Sequence, residues 1–158
     1  MTRLDLLLGL AMIGAATIRT GAQSSPGASP DSHFGKPAVL TSLIATYAAA
    51  WSEPDREARQ KLLEAVFAAD GTYTDPTVDL ASRTALVDHI GQFLDGSPGA
   101  KIEATSLADS HHGSLRFAWR LVLPDGKVAV EGLDFGELSP DGKIRRIVGF
   151  FGPLEPVK

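Results

Sequence analysis

Side chains able to move a proton are few in this sequence of 158 residues. It has two tyrosines, four histidines and no cysteine. A thiolate nucleophile, a thiolate metal site, a disulfide framework and a lipid-anchored N-terminal cysteine are therefore excluded. Carboxylate, phenol and imidazole chemistry is left, and the most informative carboxylate is Asp134. In the stretch 128–138, Val130, Gly132, Asp134, Gly136 and Leu138 fall on one face of an extended strand, and Glu131, Phe135 and Glu137 on the other. With the first face inward, Asp134 sits among small and apolar neighbours, its charged form is penalised and its pKa rises. With the strand turned over, Asp134 is exposed and Leu133 and Phe135 are buried. The alternation by itself leaves both orientations open.

Tyr47 is the phenol that spacing turns inward. Leu40, Leu43, Ile44, Tyr47 and Trp51 recur at three- and four-residue steps, one face of a helix that starts at Val39. Asp75 closes the β-prone stretch Thr72-Tyr73-Thr74-Asp75-Pro76. The proline disfavours helix at Asp75 and removes a backbone donor, so the stretch is an edge strand or a strand end. His89 flanks the apolar stripe of a later helix and reads either as a pocket acid or base or as a boundary residue. His111 and His112 are adjacent, face opposite ways in an extended chain, and so do not ligate one metal together; they read as turn or surface. Arg116 and Arg120 read as surface. The sequence has no phosphate-cradling glycine loop, nucleophile elbow or zinc signature.

These residues need elements to position them. A second helix is expected after Ser52, with Pro54 just inside it, burying Ala58, Leu62, Val66 and Phe67 and ending at Gly71. A third runs 82–94 with Leu86, Ile90, Phe93 and Leu94 on its buried side. From Ile102 the period changes to two. Strand 113–123 places Leu115, Phe117, Trp119, Leu121 and Leu123 on one face. The dipeptides Asp125-Gly126 and Asp141-Gly142 are tight-turn signals that bracket strand 128–138, and a last strand runs 144–152. Residues 102–110 make a fourth. The fold class is therefore α+β: three helices followed by a long curved antiparallel sheet, whose apolar concave face only those helices can cover. The hollow between them is an apolar pocket, with Phe117, Trp119, Val130, Phe150 and His89 expected to line it.

The order of elements and four segments carry a resemblance: Ala45-Thr46-Tyr47-Ala48-Ala49-Ala50-Trp51, Tyr73-Thr74-Asp75-Pro76, Gly132-Leu133-Asp134-Phe135 and Val148-Gly149-Phe150-Phe151-Gly152-Pro153. Over about residues 40–154 the chain resembles the nuclear transport factor 2-like superfamily, in particular its SnoaL-like polyketide cyclase and ketosteroid isomerase branches. The resemblance implies a cone-shaped fold with a deep pocket, often dimerising through the outer face of the sheet. It also implies roles: Asp75 as a base, with Tyr47 and a neutral Asp134 as hydrogen-bond donors to an oxyanion. Such a base removes a proton beside a carbonyl, and the enolate that develops needs donors fixed in a dry site. The Asp-Pro and Gly-x-Asp segments resemble features of the wider superfamily as well, and the loop between the first two helices is longer than in the steroid isomerases.

The bulk properties bound the partners. Net charge is −4, with fifteen basic and nineteen acidic residues and only one adjacent basic pair, Arg145 and Arg146; that argues against a nucleic-acid partner. Residues 1–22 read as a secretory signal, with Arg3, the apolar run 6–18 and small residues at Thr20 and Ala22. The run is too short to span a bilayer, so an exported protein with no membrane segment in its mature form is expected, a cytoplasmic one being the alternative. Residues 23–37 are a Ser-, Pro- and Gly-rich linker containing His33, and 38–158 form one domain. The leading functional reading is a cofactor-free, metal-free isomerase or cyclase acting by proton transfer on a polyketide- or steroid-like carbonyl compound. The alternatives are an exported ligand-binding protein without turnover and a protein-interaction module that uses the outer sheet face.

Overall fold

The computed structural model describes residues 37–154 and 156–157. The expected leader and all of the linker but Pro37 lie outside the described residues. Pro37 is not linker: it opens the first helix, α1 (Pro37–Ala50), where a fixed φ and a missing N–H cost nothing. The helix buries Leu40, Ile44, Tyr47 and Ala50, as the spacing requires.

The second helix, α2 (Arg56–Val66), is capped by Asp55, whose side chain accepts from the Ala58 N–H at 2.8 Å. Ser52, expected in that role, instead accepts from the Ile102 N–H at 3.2 Å. The buried stripe is Arg59, Leu63 and Val66. Arg59 is unexpected there, but its guanidinium donates to the carbonyls of Val87, Glu53 and Pro54, which ties α2 to the loop before it and to the next helix. The helix does not run on to Gly71. Phe67 is already extended and begins β1 (Phe67–Asp75). The strand bulges between Phe67 and Thr72, and the Phe67 ring folds over Gly71, whose missing Cβ would stand 2.5 Å from it. Gly71 thus serves a bulge, not a helix end.

A hairpin leads to β2 (Val78–Leu80), then α3 (Arg83–Gly96), capped by Ser82 and burying Leu86, Val87, Ile90 and Leu94. The expected strand at 102–110 is two short ones, β3 (Lys101–Ala104) and β4 (Asp109–His111), both paired with β5 (Ser114–Val122). Between them Ser106 Oγ accepts the Ala118 N–H at 2.9 Å, so a side chain replaces the ladder there. β6 (Val128–Leu138) and β7 (Ile144–Phe151) complete the meander. Gly126 and Gly142 take positive φ of 83° each in the two expected turns.

The strand order is β2-β1-β7-β6-β5-β3, with β4 also on β5. Every pair is antiparallel except β1 with β7, so the sheet is mixed rather than wholly antiparallel. The three helices cover its concave face. Asp134 is 4% exposed while Leu133 and Phe135 are 44% and 41% exposed, which selects the inward orientation of Asp134. No helix among the described residues is long and apolar enough to cross a membrane.

Candidate functional site

One cavity opens on the concave side. Its wall is formed by Tyr47, Ala48 and Trp51 at α1, Tyr73 on β1, Ile102 and Ala104 on β3, Phe117 and Trp119 on β5, and Asp134 on β6. About 40 Å³ of it is open to the centre of a water-sized sphere. That holds a few waters or the end of a ligand, not a whole polycyclic molecule. A second groove, lined by Thr41, Ala45 and Leu107 among others, lies between α1 and the β3–β4 segment and shares Ala104 with the cavity.

The pleat dictates which groups meet. Phe117 lies opposite Asp134, and Asp134 opposite Gly149. Next to Gly149, on the far side of β7, comes the end of β1, where Thr74 pairs with Val148. The two aspartates therefore flank a strand that offers only a glycine between them. A Cβ at Gly149 would stand 3.0 Å from Asp134 Oδ1, 3.6 Å from Asp75 Cβ and 3.7 Å from Tyr73 Oη.

Asp134 accepts a hydrogen bond at 2.7 Å from the indole N–H of Trp119. The donor comes from the diagonal position: Trp119 lies opposite Gly132, and its ring occupies the space a side chain there would need. Burial pushes the Asp134 carboxyl up to about 7; the Trp119 bond pulls it down and the charge of Asp75 raises it further. Tyr47 is 2% exposed, stacked on Phe67 and edge-on to Phe117. Its hydroxyl has no hydrogen-bond partner among the described residues. Burial, and then the charge of Asp134, hold its pKa well above the ordinary phenol value, so it keeps its proton.

Asp75 is placed differently. Oδ1 accepts from the Thr77 N–H and hydroxyl, both at 2.7 Å, and from the Val78 N–H at 3.1 Å, while Oδ2 accepts from Tyr73 Oη at 2.8 Å. Partial burial raises its pKa, but these four donors outweigh burial and leave it below the usual carboxylate value. Asp75 borders the site through Tyr73 and is not part of the cavity wall.

Of the five residues expected to line the pocket, Phe117 and Trp119 do so. Phe150 is 61% exposed on the outer face, because Ile147 and Gly149 take the inward positions of β7. Val130 lies beyond the Trp119 ring, which closes the cavity at Gly132, and borders a surface depression with Gly152 and Pro153. His89 is half-buried behind Trp51 and Tyr73, its ring 6.0 Å and 6.3 Å from theirs. His111 and His112 are exposed at the β4–β5 turn, and no group of three metal-ligating side chains occurs among the described residues. Sequence reasoning passed over Tyr73 and Gly149. Tyr73 stands two residues before Asp75 and so shares its face of the strand; nothing in the chain itself marks Gly149 as the residue across from Asp134.

Residues 44–147 match the family model for a SnoaL-like domain. Among solved structures the chain is similar to a proposed isomerase of the SnoaL-like family from Agrobacterium tumefaciens str. C58, at 30% identity and a TM-score of 0.69, covering 73% of this chain and 99% of that one. It is similar in fold to a proposed polyketide cyclase from Sinorhizobium meliloti, at 15% identity and a TM-score of 0.56, covering 73% and 99%. A proposed SnoaL-like polyketide cyclase from Jannaschia sp. CCS1 shares the fold at 12% identity and a TM-score of 0.54, covering 72% and 87%. No curated protein matches the chain.

Proposed function

We propose that this chain, which belongs to the SnoaL-like domain family of the nuclear transport factor 2-like superfamily, binds the carbonyl end of a small apolar molecule and moves a proton beside that carbonyl without a cofactor. The observation that carries the reading is one apolar cavity holding both a carboxyl poised near neutrality, Asp134, and a protonated phenol with no partner among the described residues, Tyr47. Ionised Asp134 takes the α-proton, and the pair of electrons left behind moves onto the carbonyl oxygen. Tyr47 donates a hydrogen bond to that oxygen as its charge grows, in a site where the bond is strong because water is excluded. Asp134 then returns the proton to a carbon or oxygen further along the conjugated system. The low pKa and four donors of Asp75 make it a poor proton acceptor, so the base expected at Asp75 is assigned to Asp134.

Two similar structures carry the names of a proposed isomerase and a proposed polyketide cyclase, and proton transfer beside a carbonyl is a step compatible with either. On this reading the reacting end of a polyketide- or steroid-like ketone enters the cavity and the rest of the molecule extends toward the groove along Thr41, Ala45 and Leu107, which shares Ala104 with it. The test is entry of solvent deuterium into a panel of conjugated ketones, followed by NMR, for the wild type and Asp134→Asn. Exchange no faster than with the variant leaves a ligand-binding protein without turnover.

A second observation favours self-association. Leu133 and Phe135 on β6 and Phe150 on β7 are exposed side by side on the outer face, Leu133 directly opposite Phe150. We propose that a second copy covers them. Light scattering should give a dimer that Phe135→Glu dissociates; a monomeric wild type removes the proposal.

A further inference from the structure

The cavity wall carries four polar side chains, Tyr47, Tyr73, Trp119 and Asp134, and their hydrogens are not free to turn either way. Trp119 spends its N–H on Asp134. Tyr47 keeps a proton that no group among the described residues accepts, so it is free to donate to a ligand. Tyr73 has the opposite polarity. It is 5% exposed, and its proton goes to Asp75 Oδ2 at 2.8 Å. Three further donors, the Thr77 N–H, the Thr77 hydroxyl and the Val78 N–H, hold Asp75 as a carboxylate, so it has no proton to give back. What Tyr73 Oη has left for a ligand is a lone pair. Burial comes first among the causes that keep both phenols protonated, and the charge of Asp134 adds to it in each, so Asp134 stands beside both.

We propose that the site takes a β-hydroxy ketone, or the enol of a β-diketone, whose carbonyl accepts from Tyr47 and whose hydroxyl donates to Tyr73 Oη. The inference narrows the substrate class and rests on the reading above that Tyr47 holds the carbonyl. The carbon that loses its proton to Asp134 then has the carbonyl on one side and the hydroxyl-bearing carbon on the other. Both polar groups belong to the ligand's small end, because about 40 Å³ of open space holds only a few atoms. A ligand without a donor displaces water from Oη and leaves a buried acceptor unpaired, so the site rejects it. An ether oxygen in the same place is worse, since it sets one lone pair against another. Tyr73 is thus a specificity-determining residue, and Asp75 fixes its polarity. In Asp75→Asn the amide oxygen keeps the Thr77 and Val78 donors, and the amide N–H group faces Tyr73 Oη. It donates there, and the Tyr73 proton turns toward the ligand.

NMR titration of the full chain with three small ketones tests this: a β-hydroxy ketone (hydroxybutanone), its methyl ether and the isosteric pentanone. Wild type should bind the hydroxy ketone about tenfold more tightly than the other two. Tyr73→Phe should bind the hydroxy ketone no better than pentanone, and Asp75→Asn should bind the methyl ether as well as the hydroxy ketone. Tyr47→Phe should weaken all three and keep the preference for the hydroxyl. No preference in the wild type, or one that Tyr73→Phe keeps, overturns the proposal and leaves the carbonyl reading standing. A preference that Tyr73→Phe keeps and Asp134→Asn loses makes Asp134 the acceptor instead. Should Tyr47→Phe bind all three as the wild type does, or the wild type bind none, the carbonyl reading fails first and this proposal falls with it.

Discussion

The indole N–H of Trp119 reaches Asp134 Oδ1 at 2.7 Å along the diagonal of the β5–β6 pair, and it does so across Gly132. The bond lets a carboxyl 4% exposed keep an ionised form within reach near neutrality, because it offsets part of the cost of desolvation. Gly132 is what admits the ring. A Cβ there would stand 2.3 Å from Trp119 Cζ2 and 2.7 Å from the Phe150 carbonyl oxygen.

Replacement of that glycine should therefore damage fold and site together. Gly132→Ala is expected to cost about 1–3 kcal/mol by overpacking and to displace the indole. Thermal melts and the tryptophan fluorescence maximum would register the two effects.

The titration of Asp134 should move in opposite directions with its two neighbours. Trp119→Phe removes a bond that favours the charged form and raises the pKa above about 7; Asp75→Asn removes a nearby negative charge and lowers it. Carboxyl-carbon NMR of each variant would show the signs. Equal shifts in one direction would contradict the assignment of causes.

Stability should fall as pH rises. The Asp134 pKa is higher in the folded chain, about 7, than in the unfolded chain, where an ordinary carboxylate value near 3.8 applies. The stability contribution is full below the unfolded value, and is lost between there and about pH 7 as the unfolded state releases its proton first. Asp134→Asn abolishes this dependence. Compared by melting temperature, the variant should gain on the wild type between pH 5 and pH 8 by an amount on the order of a few kcal/mol.

Tyr47→Phe separates stability from chemistry. The hydroxyl is buried without a partner among the described residues, so its loss should leave stability equal or raise it by about 1 kcal/mol. Loss of the donor to the enolate oxygen should lower turnover of a ketone by about 10²-fold or more. A variant that is both less stable and fully active would contradict both halves.

Much of the fold was legible because it rests on periodicity. The 3–4 spacing of Leu40, Ile44 and Tyr47 and the two Asp-Gly turns are local patterns that the backbone has to obey. The misreadings fall where a distant residue overrides the local signal. Gly71 looked like a helix end, but Phe67 had already paired with Ile144 and folded over it. The strand expected at 102–110 breaks where Ser106 captures the Ala118 amide.

The candidate site divides along the same line. Residue type and alternation by themselves determined that Tyr47 points inward, that Phe117 and Trp119 share a buried face, and that Asp134 lies either fully inside or fully outside. Only the tertiary structure decided which face of β6 is covered, that Trp119 donates to Asp134, that Asp75 spends its oxygens on Tyr73 and the Thr77 turn, and that a glycine separates the two acids. The physical reason is that a pKa and a hydrogen-bond partner depend on what lies across the sheet. Registers between strands far apart in the chain are settled by packing the whole core, not by any one segment.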